Sequence, residues 1–240
     1  MYKNKKILAT ICARGGSQGV KGKNIRILGD KPLIIHSLNL VRESSLIDEY
    51  IISTDSQEIM EVVKKHGFDI HFKRPDFLAS GKISRIDVIQ HATKWVEENL
   101  DQKFDVIIDL GVATPLKNLE DMENSIKILI DEDASNVFSV NVASKSPYFN
   151  MVEFLDGKIQ YVKKIEKKIN DRRDSPQVYE MNDGFNVFKH EILFSDNPQF
   201  NENTKISIMP PHRSVDIDEE WDLLLAEFII STKIKEEING

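Results

Sequence analysis

Ile7-Leu8-Ala9-Thr10-Ile11-Cys12-Ala13-Arg14-Gly15-Gly16-Ser17-Gln18-Gly19-Val20-Lys21-Gly22-Lys23-Asn24 is the stretch that decides the fold. An apolar run of β-formers passes without a polar transition into a loop with four glycines (15, 16, 19, 22) and three cations (Arg14, Lys21, Lys23). A buried strand ending in a basic, Gly-rich loop is how an α/β protein prepares a place for phosphate. The glycines let the backbone come close and present N–H groups, and the cations neutralise the anion.

The rest of the chain repeats the alternation that such a strand needs. Pro32 to Val41 carries Leu33, Ile34, Leu38 and Val41 at helical spacing, with Gly29 as the breaker before it and Pro32 suited to its first turn. A short strand, Tyr50 to Thr54, follows. A helix from Ser56 to His66 then has Ser56 as its N-cap and Gly67 as its stop. Asp69 to Lys73 is predicted as a third strand, Ser84 to Asn99 as a helix, Phe104 to Leu110 as a fourth strand, Leu119 to Ile130 as a helix and Asn136 to Val142 as a fifth strand. This rhythm predicts a three-layer, Rossmann-like α/β fold with a mainly parallel central sheet and ligands at the carboxyl ends of its strands. From Ala143 onward the pattern breaks. Pro147 to Gln160 reads as a hairpin around Asp156-Gly157, and Tyr161 to Asp174 is short and highly charged. Strand patterns return at Gly184 to Phe188 and Ile206 to Met209, and a last helix is expected from Glu219 to Ile238. The economical organisation is one domain over residues 1–240, with 143–180 as an inserted dimerisation arm.

Composition narrows the partners. A net charge of −7 argues against nucleic acid or a membrane surface, so an anion site here must be local. The one cysteine, Cys12, excludes internal disulfides and reads as a small core residue of the first strand. The apolar run after Lys6 is too short for a signal peptide or a membrane span, so the expected location is the cytoplasm.

Neither standard phosphate motif is present. A P-loop would need Ser or Thr after Gly22-Lys23 and Gly where Ser17 stands; the dinucleotide fingerprint fails as well. Ala-Arg-Gly-Gly-Ser-x-Gly-x-x-x-Lys-Asn after a first strand instead resembles the signature of the acylneuraminate cytidylyltransferases, which include the CMP-sialic acid and CMP-legionaminic acid synthetases. Further blocks are similar to this family in order: Ile51 to Asp55, Arg74 to Ala79, Thr114 to Lys117, Asn150 to Glu153, Arg172 to Tyr179, Met181-Asn182, and Ser214 to Asp218 with Asp222.

The resemblance implies that a hydroxyl of a nine-carbon acidic sugar attacks the α-phosphorus of CTP and that pyrophosphate leaves. Charge must then be held on the leaving phosphates, which assigns catalytic roles to Arg14 and Lys23. It implies nucleotide contacts from Ala13, Gly15, Gly16, Ser17, Asn24, Arg74 and Ala79. It also implies a Mg²⁺ site at Asp216 and Asp218, the latter also counted as catalytic; by spacing alone this pair fits equally well an acidic cap on the last helix. Candidates for the sugar are Ser84, Arg85, Gly111 and Thr114. Lys145, Arg172 and Arg173 would reach from the arm into the neighbour's site in a homodimer, or in a tetramer built from it. No histidine offers a clear general base. His36, His66, His91 and His190 read as structural, and His212 is the one to watch.

Three departures mark this chain. Gln18 stands where the family usually has Lys, with Lys21 as a possible stand-in. Gly111-Val112-Ala113 replaces a Gln-Pro-Thr run whose glutamine lies against the acyl sugar, and Ser80-Gly81-Lys82 follows Leu-Ala where an aspartate is common. Legionaminic acid or a similar diamino derivative is therefore the first expectation, ahead of N-acetylneuraminic acid. The rival readings are transfer to a sugar 1-phosphate or an octulosonic acid, a metal-dependent glycosyltransferase, and a silent nucleotide-binding regulator.

Overall fold

The structure, a computed structural model, describes residues 1–16, 19–165 and 171–232. Its element order is β1 (Ile7–Cys12), β2 (Ile27–Leu28), β3 (Lys31–Pro32), α1 (Leu33–Glu43), β4 (Glu49–Ser53), α2 (Gln57–Lys65), α3 (Arg85–Asn99), β5 (Val106–Leu110), α4 (Leu119–Asp131), β6 (Asn136–Val142), β7 (Val152–Leu155), β8 (Lys158–Tyr161), β9 (Tyr179–Lys189), α5 (His190–Leu193), β10 (Thr204–Ile208) and α6 (Glu220–Ser231). Six strands form the central sheet in the order β10-β6-β9-β5-β1-β4. All pairings are parallel except those of β9, which runs antiparallel to both neighbours.

Alternation along the strands builds the layers. Ile7, Ala9 and Ile11 of β1 point to one face with Ile108 and Val187, where they meet Leu33 and Leu38 of α1, Val63 of α2, Ile126 of α4 and Ala226 of α6. The residues between them face the other way. There Leu8 and Ile51 meet Ala92 and Val96 of α3, and Ile107, Phe138 and Phe188 meet Ile89 and Leu193. The chain leaves β1 to pair on one side with β4 and then returns to pair on the other with β5. The carboxyl ends of β1 and β5 therefore mark the point where the winding reverses.

The helix starts follow the sequence closely. Ser56 caps α2 through Ile59 N, and Ser84 and Asp87 form a capping box on α3. Pro32 sits one place earlier than expected, at the N-cap of α1.

The third strand expected at Asp69 to Lys73 does not form. This segment runs past the sheet edge at β4, tied by Asp69 N to Tyr50 Oη and by Arg74 N to Thr54 O. Its Phe72 stacks instead on Trp95 of α3, with ring centroids 5.1 Å apart, so the apolar pattern records side-chain packing and not a ladder. The strand expected at Gly184 to Phe188 is eleven residues long and carries a register shift opposite Phe138/Val140. The hairpin is as expected: β7 and β8 pair around Asp156 (φ 50) and Gly157 (φ 75), as a two-residue turn with positive φ requires. The expected extension of the last helix beyond Thr232 lies outside the described residues, as do Ser17, Gln18 and part of the charged segment after Tyr161.

Candidate functional site

A cleft of about 480 Å³ opens at the carboxyl ends of β1 and β5. It is lined by Cys12, Arg14, Gly19, Lys23, Asn24, Arg74, Leu78, Ser80, Ile83, Arg85, Val88, Val112, Ala113, Asp183 and Asp218. Arg14, Lys23, Asn24, Arg74, Arg85 and Asp218 thus meet as the sequence reading expects.

The Gly loop is shaped by a close approach. A Cβ on Gly19 would lie 1.9 Å from the carbonyl oxygen of Asp218, so the loop and the acidic segment touch backbone to backbone. Lys23 reinforces that contact: its Nζ donates to Ile217 O at 2.5 Å and to Asp218 Oδ1 at 3.2 Å. Asn24 donates to Arg14 O at 2.8 Å, so its amide fixes the loop that carries Arg14. The Gly15 N–H is taken by Asp55 Oδ1 at 2.9 Å and is not free for phosphate, a correction to the expected row of loop donors. Gly16 has open space around it, and Lys21 is exposed and does not line the cleft. Buried Ala13 bonds backbone to backbone with Ser53.

On the far wall Arg74 is 4% exposed and donates to the side chain and the carbonyl of Ser53. Ala79 sits in the turn between the lining residues Leu78 and Ser80. Arg85 projects from the first turn of α3 onto two carboxylates. Its Nε donates to Asp109 Oδ2 at 2.5 Å and its Nη1 to Asp183. Burial opposes its charge, but Asp109 and Asp183 outweigh that and raise its pKa. Two of its donor nitrogens are therefore taken by the protein's own carboxylates, while its buried Nη2 has no hydrogen-bond partner among the described residues. Asp109, wholly buried, also accepts from Thr10 Oγ1 at 2.6 Å.

Three expected sugar contacts serve structure instead. The Ser84 hydroxyl exchanges hydrogen bonds with Asp87 in the cap of α3. Thr114 is buried and donates to Asn182 O at 2.6 Å. At Gly111 a Cβ would lie 1.9 Å from Asp183 O; it is the following Val112 and Ala113 that face the cleft. This loop is held from below by Lys117, which is 4% exposed and donates to Ser37 Oγ, Gly111 O and Thr114 O. Burial, with Arg85 nearby, pulls the Lys117 amine down to about 7.

The acidic segment is positioned from both ends. Arg213 binds buried Asp121 of α4 with two hydrogen bonds of 2.8 and 2.9 Å, Asn182 donates to Ser214 Oγ, and Ile217 N donates to Ala113 O at 2.8 Å. Asp216 Oδ1 is buried without a hydrogen-bond partner. Burial, then Asp218 and Asp183, raises the Asp216 carboxyl to about 6. The cap of α6 is made by Glu219 and Asp222, not by this pair: Asp222 Oδ2 accepts from Glu219 N and Asp218 N. The helix-cap reading thus leaves Asp216 and the Asp218 carboxylate unexplained.

Cys12 ends β1 half-buried on the cleft wall rather than in the core; burial and Asp109 raise its thiol pKa well above the usual value. His36 and His66 bond to Leu28 O and Val62 O and His190 lies 3.1 Å from Glu97, as structural residues would; His212 does not line the cleft. Lys145, Arg172 and Arg173 line a separate depression in the arm with Ser146 and Ser175. Asp109, Asp183 and Lys117 were not legible as site residues. A lone acid in an otherwise apolar strand was the signal for Asp109, and the polar trio Asn182-Asp183-Gly184 for Asp183.

The sequence profile of the cytidylyltransferase family matches residues 8–218. The post-translational flagellin modification protein B of Campylobacter coli is 37% identical over 95% of this chain and 96% of its own length. The CMP-N,N'-diacetyllegionaminic acid synthase of Campylobacter jejuni is 36% identical over the same shares. Among solved structures, a CMP:2-keto-3-deoxy-manno-octonic acid synthetase complexed with CTP superposes with a TM-score of 0.68 over 95% of this chain and 99% of that one, at 16% identity, which speaks for the fold.

Proposed function

The chain belongs to the cytidylyltransferase family, and on that premise we propose that it transfers CMP from CTP to a nine-carbon acidic sugar of the legionaminic type, releasing pyrophosphate. The observation that carries this reading is the convergence of Arg14, Lys23 and Asp218 on one cleft at the switch point of the sheet. The kinship to the legionaminic acid synthase supports the acceptor class. In the reaction a sugar hydroxyl oxygen bonds to the α-phosphorus while the bond from that phosphorus to the bridging oxygen breaks. Negative charge grows on the departing pyrophosphate. Arg14 grips two oxygens through its fork, and Lys23 adds a point charge beside the Gly loop. Buried Arg74 and the backbone near Ala79 and Ser80 form the wall for the nucleoside.

The residues fit a magnesium ion. An unpartnered buried oxygen on Asp216, beside Asp218, is a site short of positive charge. Among the described residues no three acidic, histidine or cysteine side chains could hold a metal by themselves. That suits Mg²⁺, which takes one or two carboxylates and completes its shell with phosphate and water. When bound, it polarises the α-phosphate and stabilises charge there.

The arm, 143–180, is the proposed dimerisation element of an otherwise single domain. Phe154 and Ile159, paired across its hairpin, are 73% and 65% exposed, more apolar surface than a lone hairpin would present to water. A second copy covers it in this reading, and brings Lys145, Arg172 and Arg173 toward the neighbour's cleft. A cytoplasmic location fits the use of CTP in this reading; no helix among the described residues is long and apolar enough to cross a membrane. The site assignment is tested by Arg14→Ala and Lys23→Ala. Each is expected to lower kcat/KM for CTP by roughly a hundredfold or more, about 2.7 kcal/mol of transition-state stabilisation. Near-normal rates in both variants would remove these residues from the reaction.

A further inference from the structure

A carboxylate on the wall of a cleft built for a triphosphate and an acidic sugar needs a reason, because it repels both. Asp183 is such a carboxylate. Its side chain is 42% exposed, and one oxygen is held by Arg85 Nη1 while the other accepts a long bond of 3.3 Å from Asn186 Nδ2. Its placement is built. Asp183 has φ +52, a left-handed conformation uncommon for a residue with a Cβ, beside the register shift that re-aims β9. Gly111 is kept small by the Asp183 carbonyl.

The position of Asp183 relative to the rest of the cleft indicates what it faces. Along the sheet, β9 lies two strands from β1, which carries the Gly loop, with β5 between them; at strand spacing that is about 10 Å. Asp183 therefore stands on the side away from Arg14 and the nucleoside wall. Val112 and Ala113 line the cleft with it, and Ala113 O is bonded to Ile217 N between the two aspartates of the acidic segment. The attacking hydroxyl must come close to that segment, so the body of the acceptor lies along Ala113, Val112 and Asp183. A carboxylate that shares Arg85 with Asp109 has lone pairs left to accept hydrogen bonds from a neutral donor. Beside it, Val112 and Ala113 offer apolar surface. An N–H donor with a methyl group one bond beyond its carbonyl matches both.

Resting on the cytidylyltransfer reading, we infer that Asp183 is a specificity-determining residue that accepts a hydrogen bond from an acylamino N–H of the acceptor sugar. A site built around such a bond rejects an analogue that cannot fill it, because its polar group is left unpaired.

The test compares N,N'-diacetyllegionaminic acid with the corresponding acid carrying hydrogens in place of its acylamino groups, in the wild type, D183G and D183N. Glycine takes φ +52 more readily than aspartate, and Asp109 still holds Arg85 in D183G, which offsets the loss of the Asp183 ion pair; thermal melts check that the variant is folded. The wild type should favour the acylamino acid at least tenfold in kcat/KM. D183G should lose most of that ratio through the acceptor KM, with the KM for CTP at saturating Mg²⁺ within twofold of wild type. D183N, which keeps an acceptor oxygen, should retain part of it. An unchanged ratio in active D183G overturns the inference alone, as does a loss that falls on CTP instead. A wild type that releases no pyrophosphate from CTP with any acid overturns the cytidylyltransfer reading and this inference with it.

Discussion

At the scale of single residues, two buried polar atoms of the site lack a hydrogen-bond partner among the described residues, Arg85 Nη2 and Asp216 Oδ1. Lys23 is shared between Ile217 O and Asp218, and Arg85 between Asp109 and Asp183, yet the buried oxygen of Asp216 has no partner. An ionised group left so is a cost to folding. With its carboxyl raised to about 6 from an unfolded value near 3.9, the folded state binds more protons between these values than the unfolded chain does. Stability is therefore lost as pH rises from about 4 to 6, and the deficit persists above 6. Asp216→Asn removes it. In metal-free buffer the variant should melt higher than wild type at pH 7.5, and the difference should close by pH 4. Thermal melts across this range check the sign; a variant that melts lower at pH 7.5 would mean that the ionised carboxylate is satisfied in the resting protein. Asp216 and Asp218 stand out in the sequence through the family resemblance, since by spacing alone the pair fits a helix cap equally well. That Glu219 and Asp222 make the helix cap could not be read there, since all four acids stand within seven residues.

Among the elements, those governed by local rules were legible. Ser56 and Ser84 announce α2 and α3 through their caps, and Asp156-Gly157 announces the turn of the hairpin. The segment Asp69 to Lys73 reads as an edge strand because its two apolar side chains alternate, but Ile70 packs on the main core and Phe72 stacks on Trp95 without a ladder. The direction of β9 was equally hidden: its apolar residues face the same two layers whichever way it runs, and only its partners β5 and β6 settle it. The hairpin β7–β8 belongs to this scale too. Phe154→Glu combined with Ile159→Glu should halve the mass measured by light scattering to that of a single 27.5 kDa chain. It should also lower turnover by removing the neighbour's Lys145, Arg172 and Arg173. An unchanged mass would deny the hairpin its role in assembly, and a fully active single chain would remove the arm from the site.

Over the whole molecule, the fold gathers into one cleft residues that are some two hundred positions apart in the chain. β1 and β5 end side by side, the Gly loop follows the first, Val112 and Ala113 follow the second, and the acidic segment crosses in front of both, close enough that only glycine fits at position 19. The charged ends of this arrangement are within reach of the sequence: Arg14 and Lys23 as cations of the Gly loop, Asp216 and Asp218 through the family resemblance. The middle is not, because Asp109 and Asp183 acquire meaning only from Arg85 on α3, and Lys117 from Ser37 on α1 and the loop carbonyls of Gly111 and Thr114. What the cleft accepts is the central claim, and pyrophosphate release tests it most directly. The purified protein would be given each of the four nucleoside triphosphates with Mg²⁺ and a panel of nonulosonic acids, octulosonic acid and sugar 1-phosphates. CTP with a nonulosonic acid, legionaminic derivatives first, should release pyrophosphate far faster than any other pairing. Release that is fastest with another nucleotide or with a sugar 1-phosphate would contradict the account.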